Sequence, residues 1–232
     1  MLRHRKLIIT CFIVAIVLVA TIGVAPMVFS AILGPGVKTE GLSDSGASPA
    51  TEEMDGTWEV VSGSGRNTSS LGYTFAEILP VDERVTSGST QDIEGTVTIA
   101  GEKIQDGQVT VDVTDVSSDK QVRDENVRRK ILETDTYPTA HLTLDGGEDV
   151  SHLPDDGTAA TVTVSGKLTI KDATRPVTAE LRALRDGDRV ILSGDLPIKR
   201  EDFNLEAPEF VAAKIAEEGE INIRLALEKA GS

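Results

Sequence analysis

Beyond residue 57 the chain places an apolar side chain at every second position through most of its length. Val162, Val164, Leu168 and Ile170 alternate with Thr161, Thr163, Ser165, Lys167 and Thr169, the period of a strand with one buried face. The pattern recurs at Ile93, Val97 and Ile99, at Val109, Val111 and Val113, at Val177, Ala179 and Leu181, at Val190, Leu192 and Leu196, and from Ile221 to Leu227. With the turn signals between them, these runs predict strands near 57–62, 71–79, 92–100, 108–114, 140–144, 158–170, 176–184, 189–197 and 220–228. One helix is predicted. Ser118 is its N-cap, with Gln121 three residues later, Asp119 opens the first turn, and Arg128, Arg129 and Lys130 suit its C-terminal end. Its apolar stripe of Val122, Val127 and Ile131 is narrow and fits a helix lying over one end of a sheet. One helix cannot cover so many strands, so their apolar faces must meet in an all-β sandwich or barrel.

The first 56 residues follow different rules. Leu7 to Leu33 carries no charge, follows Arg3, His4, Arg5 and Lys6, and exceeds the roughly 20 residues that span a bilayer. It is expected to be a transmembrane anchor, with residues 1–6 as a cytoplasmic tail and the C-terminal domain extracytoplasmic. The alternative is a secreted protein released by signal cleavage at Gly23–Ala25. Residues 34–56, rich in Gly, Ser, Pro, Thr and acid, read as a flexible linker with a reach of about 25 Å. Residues 57–232 form the single domain.

Composition narrows the chemistry. The net charge is −15, and beyond the three N-terminal basic residues 20 cations face 38 acids, a surface that repels nucleic acid. The lone cysteine, Cys11, lies in the apolar run, so the domain has no disulfide framework and no thiolate metal site. His4 belongs to the tail, His141 lies on the polar face of its strand, and His152 sits beside Leu153-Pro154; none is placed as a metal ligand or general base. There is no nucleophile elbow, phosphate loop or dinucleotide fingerprint. No metal, cofactor or catalytic residue is expected. Aromatic residues make up 3% of the chain, and an aliphatic interior of this kind suits either a cavity or an interlocked sandwich core.

Three segments carry a resemblance. Ser118 to Asp124, continued by Ile131 to Thr139, contains an Arg-Asp pair and a Tyr-Pro-Thr turn; Gly166 to Val177 reads Gly-Lys-Leu-Thr-Ile-Lys-Asp-Ala-Thr-Arg-Pro-Val; Lys199 to Leu205 reads Lys-Arg-Glu-Asp-Phe-Asn-Leu. In order and spacing they resemble the YceI family of secreted, lipid-binding proteins, over nearly the whole domain from Trp58. The resemblance implies an eight-stranded antiparallel lipocalin-like barrel whose interior tunnel holds an isoprenoid chain, without enzymatic activity. Lys171-Asp172 departs from the family's His-Gly, and Glu77 stands where many relatives carry a histidine, which puts headgroup contacts at those positions in doubt.

The lipid-binding lumen is expected to be lined by Tyr73, Phe75, Val97, Val111, Val113, Leu142, Leu144, Val164, Leu168, Val177, Leu181, Leu192, Ile223 and Leu225, the apolar phase of their strands. Strict alternation from Tyr73 and Phe75 also turns Glu77 inward, where an unpaired carboxylate is costly. The simpler outcome is escape to solvent at a bulge or strand end; the other is a polar mouth formed with Arg123 and Asp124. The expected partners are an apolar lipid, such as a polyprenyl carrier or a quinone, and the membrane, with the domain a monomer. A barrel enzyme of isomerase or cyclase type and a filled-core interaction domain are the competing readings.

Overall fold

The computed structural model describes residues 36–78, 83–207 and 214–231. The expected tail and anchor, residues 1–33, lie outside the described residues. Ten strands are present: β1 (Gly56–Val61), β2 (Ser70–Ile78), β3 (Glu83–Thr90), β4 (Ile93–Ala100), β5 (Lys103–Asp112), β6 (Thr139–Leu144), β7 (Ala160–Ile170), β8 (Ala173–Asp186), β9 (Arg189–Lys199) and β10 (Lys214–Lys229). Every pairing between them is antiparallel. They make eight staves, because β1 and β2 share one edge of β10: Lys214–Arg224 pairs with β2 and Ala226–Lys229 with β1. On the neighbouring stave β3 pairs with β2 and β4 with β1. The other edge of β10 pairs with β9, and the order through β8, β7, β6, β5 and β4 returns to β1, closing the barrel.

The strand β3 has no counterpart in the predicted set. Its sequence, Glu-Arg-Val-Thr-Ser-Gly-Ser-Thr, carries one aliphatic residue, so apolar alternation could not find it. Thr86 and Gly88 point inward on β3, and the ring of Tyr73 lies over Gly88, where a Cβ would come within 2.8 Å of it.

The helix is shorter than its cap signals suggest. It runs as α1 (Gln121–Asn126) and continues as a π-helical turn over Val127–Leu132. Ser118 is not its N-cap: the Ser118 hydroxyl donates to Asp124 Oδ1 at 2.6 Å, and the Ser118 amide donates to the same oxygen at 2.7 Å. Asp124 thereby satisfies its buried carboxylate locally. Val122, expected in the apolar stripe, is exposed.

Residues 36–55 differ most from expectation. Gly, Ser and acid predict a free linker, yet the segment is laid as a strap along the outside of the barrel. Val37 donates to Ser87 O at 3.1 Å, Thr39 Oγ1 meets Ser70 Oγ at 2.8 Å, Leu42 N donates to Ser193 Oγ at 2.9 Å, and Thr51 N donates to Gly187 O at 2.8 Å. Leu42 packs on Leu184, Ile191 and Ala226, three buried residues on the outward face of β8, β9 and β10. These outward apolar residues supply what the strap's own composition lacks. Its polar backbone is held by Ser87, Ser193, Asn67, Asp186 and Gly187.

Candidate lipid-binding interior and its polar mouth

The strand directions give the barrel two unlike ends. At one end lie the β4–β5 and β8–β9 turns, the start of β1 and the end of β10. Trp58, Ile99, Ile104, Ala183, Val190 and Leu227 fill it, with Met54 from the strap and Val150 and Leu153 from the β6–β7 connection. That connection is pinned by Val150 N to Glu102 O at 2.9 Å and Ile104 N to Glu148 O at 3.0 Å. The Trp58 indole donates to Met54 O at 2.8 Å, and Trp58 is only 2% exposed. This end is closed.

Thirteen of the fourteen residues expected in the lumen belong to one inward apolar cluster: Tyr73, Phe75, Val97, Val111, Leu142, Leu144, Val164, Leu168, Val177, Leu181, Leu192, Ile223 and Leu225. Val113 does not. β5 ends at Asp112, whose carboxylate accepts from Thr114 N at 2.8 Å, and Val113 turns away to bond Pro138 O at 2.9 Å. Within the cluster, Val164, Leu168, Leu181, Ile223 and Leu225 are buried, but Val97, Val111, Leu142, Leu144, Val177 and Leu192 are only half-buried. An inward side chain that keeps free surface has no atom packed against it there. Along β4, β5 and β6 the inward side chains thus keep accessible surface that those of the closed end do not. Two hollows outside the barrel, one beside the helix at Gln121 and Arg128 and one where the strap crosses Arg224, are lined mostly by polar groups and give an apolar chain little to bury against.

The other end carries the polar groups. Glu77 points inward on β2 and does not escape to solvent: its carboxylate faces the Arg123 guanidinium at 3.9 Å, and the two side chains are 16% and 9% exposed. Arg123 also holds Asp119 and reaches Ser118 Oγ at 3.4 Å. Of the three residues expected at the polar mouth, Arg123 and Glu77 meet and tie the helix to the barrel, while Asp124 is committed to Ser118. Arg84 lies opposite Glu77 on β3. The Tyr73 phenol sits close to Arg123, Asp124, Glu77 and Asp119, and burial raises its pKa far above the ordinary value, so it stays neutral. Thr86 faces inward beside Phe75, and its buried hydroxyl has no hydrogen-bond partner. Sequence reasoning missed Thr86 and Arg84 because it missed β3.

The motif departures also have a place here. Lys171 and Asn204 take the left-handed conformation, with φ of 54° and 53°, which glycine adopts at lower cost. Lys171 forms an ion pair with Glu133 and donates to Asn204 O at 3.1 Å, while Asn204 Nδ2 donates to Asp172 Oδ1 at 3.1 Å. Lys171-Asp172 thus cross-links the β7–β8 turn, the end of the helix and the turn after β9. Arg200 holds that last turn to β10 through Ala216 O at 2.8 Å, Leu205 O at 2.7 Å and Glu217 at 2.9 Å. His141, on the exposed face of β6, bonds Thr110 and Thr139. Among the described residues no cluster of three His, Cys, Asp or Glu side chains is placed to hold a metal ion.

Known proteins share this fold. A polyisoprenoid-binding domain of Saccharophagus degradans, implicated in plant cell wall breakdown, superposes with a TM-score of 0.58 at 20% identity, over 74% of this chain and 98% of its own. BcnA of Burkholderia cenocepacia superposes with a TM-score of 0.54 at 25% identity, over 68% of this chain and 95% of its own. The protein YceI of Shigella flexneri and that of Escherichia coli O157:H7 are each 30% identical over 131 residues. That match covers 51% of this chain and 63% of those relatives' length. Residues 66–227, which include every strand from β2 to β9 and most of β10, match the YceI-like domain, and the chain belongs to that family.

Proposed function

We propose that this chain is a membrane-anchored, extracytoplasmic binding protein that sequesters or carries an isoprenoid-type lipid, a polyprenyl carrier or a quinone, in the barrel interior. The observation that carries the reading is the half-buried inward wall of Val97, Val111, Leu142, Leu144 and Val177, set against a closed far end. A flexible apolar chain gains affinity by removing such surface from water, at roughly 25 cal/mol per Å² before the cost of ordering the chain. The polyisoprenoid-binding domain among the similar structures supports the ligand class. The Leu7–Leu33 run, with Arg3, Arg5 and Lys6 before it, supports the anchor and its orientation.

The reading favours binding over catalysis. Glu77, the inward carboxylate an enzyme would need as its base, faces the Arg123 guanidinium in an ion pair. Tyr73, kept neutral, and the unpartnered Thr86 hydroxyl give a headgroup oxygen neutral hydrogen-bonding groups. Native mass spectrometry of residues 36–232 purified without detergent tests the proposal: a co-purifying apolar ligand is expected. Leu168→Glu and Leu192→Glu chains that fold should lose it. Retention of a long-chain isoprenoid by both variants at the parent's level would place the ligand elsewhere and refute the reading.

A further inference from the structure

Among the described residues four large aliphatic side chains stand exposed: Val37, Ile78, Val85 and Val122, at 48, 50, 52 and 74%. Four is an ordinary number for a protein surface; their placement is not ordinary. Ile78 ends β2, and Val85 lies opposite Ala76 on β3, both on the outward phase that alternates with Phe75 and Thr86. Val122 precedes Arg123, whose guanidinium faces Glu77, the neighbour of Ile78. Val37 is bonded to Ser87 of β3. All four belong to β2, β3 and the elements docked on them, on the mouth side of the barrel.

The start of the strap limits where the anchor can lie. Gly36 is bridged to Ser87, and the uncharged run ends three residues earlier at Leu33, a reach of at most about 11 Å from Gly36 and so about 15 Å from Ser87. From Ser87 the rim of β3 at Glu83 is four residues away, about 13 Å. In the other direction, β10 runs from Glu220, level with Thr74 and Ser87, to Lys229 at the closed end, about 30 Å. A chain leaving the bilayer beside Ser87 brings the mouth to the membrane and holds the closed end away.

On the membrane-anchored reading above, on which this rests, the geometry points to the bilayer surface as the occupant of this patch. The barrel stands mouth toward the headgroups, with Val37, Ile78, Val85 and Val122 entering the interface. A lipid chain then passes between bilayer and barrel without crossing bulk water. Four aliphatic side chains are too few to hold a free protein, but a strap fixed this close to its anchor presents them at a local concentration in the millimolar range or above. The acidic surface argues for neutral or zwitterionic lipid at the contact.

The test uses the full chain with Cys11→Ser and a single cysteine at Val85, at Val122 or, for the closed end, at Asp188. Each carries an environment-sensitive fluorophore and is reconstituted into phosphatidylcholine vesicles containing nitroxide-labelled lipid. The Val85 and Val122 labels should shift to the blue and lose most of their emission; the Asp188 label should do neither. Co-flotation with the vesicles but equal emission at all three sites overturns the orientation alone. Failure to co-float overturns the anchor and the orientation with it. A Val85→Asp, Val122→Asp chain should float like the parent and load lipid from the vesicles more slowly; unchanged loading would also overturn the contact.

Discussion

The two ends of this barrel are built from similar strands and solve opposite problems. At the closed end, inward residues of β1, β4, β5, β8, β9 and β10 meet Met54, Val150 and Leu153, and nearly every apolar group is covered. On the wall of β4, β5 and β6, residues in the same alternating phase remain half-buried, and at the mouth a small polar cluster gathers around Glu77 and Arg123. Alternation decides which way a side chain points. Whether anything meets it there depends on loops and terminal segments whose own sequence is not apolar. The strap and the β6–β7 connection supply that covering at one end only.

The strap is the largest lever on this difference. Residues 36–232 and residues 55–232 should both be soluble, but the shorter chain exposes Leu184, Ile191 and Ala226 and loses Met54 from the closed end. Burial of Leu42 and Met54 alone is worth roughly 2 kcal/mol each, and the lost backbone bonds add to this. Urea unfolding should show the shorter chain less stable by more than about 4 kcal/mol. Equal midpoints would mean the strap is not part of the fold.

Within the barrel, Leu181→Ala should cost about 3–5 kcal/mol, because a fully packed site leaves a cavity. Leu142→Ala removes the same atoms from a half-buried wall, where less contact is lost, and should cost about half as much or less. Comparable losses at the two positions would show that the β6 wall is as filled as the closed end.

At the mouth, Arg123→Met should cost about 1–3 kcal/mol by removing the helix's cation from Glu77, and Glu77→Gln in the same chain should recover most of that. If the double variant is no better than the single, Arg123 acts through Ser118 and Asp119 instead. Smaller and opposite in sign is Thr86→Val. Removing an unpartnered buried hydroxyl at nearly constant shape should raise the stability of the ligand-free domain by about 1 kcal/mol, while weakening retention of a lipid with an oxygen-bearing headgroup.

Much of this architecture was legible because long strands such as β7, β9 and β10 keep one strict phase: the inward cluster contains all but Val113 of the residues that the phase selects. What escaped has a common cause. β3 is Thr, Ser and Gly where the Tyr73 ring lies over it, so it has no apolar phase to detect. Leu42 is a single leucine in a polar segment, and its partners Leu184, Ile191 and Ala226 stand on the outward phase, where apolar residues are unremarkable until something covers them. Glu77 was visible as an inward carboxylate, but its neutralising partner arrives from a helix some 46 positions later. Patterns of period two report on local exposure; pairings across the chain leave no periodic trace.

The weakest expected effect compares the two ends in acid. Asp55, beside the closed end, accepts from Gly101 N at 2.9 Å and Glu102 N at 3.0 Å, bonds that lower its pKa and hold the β4–β5 turn. Asp112, at the mouth end of β5, is lowered by the hydroxyl and amide of Thr114. A carboxyl with a depressed folded pKa contributes stability that is present above its unfolded value, about 3.9, and lost as pH falls through the folded value. Asp55 is exposed and Asp112 only half-buried, so the effect on melting temperature should be small. Asp55→Asn and Asp112→Asn should each flatten the decline in melting temperature below about pH 4. Hydrogen exchange at pH 3 separates them: the Glu102 amide should open in the parent while the interior amides of β7 stay protected. Uniform exchange across both regions would mean that acid acts on the barrel as a whole rather than on its turns.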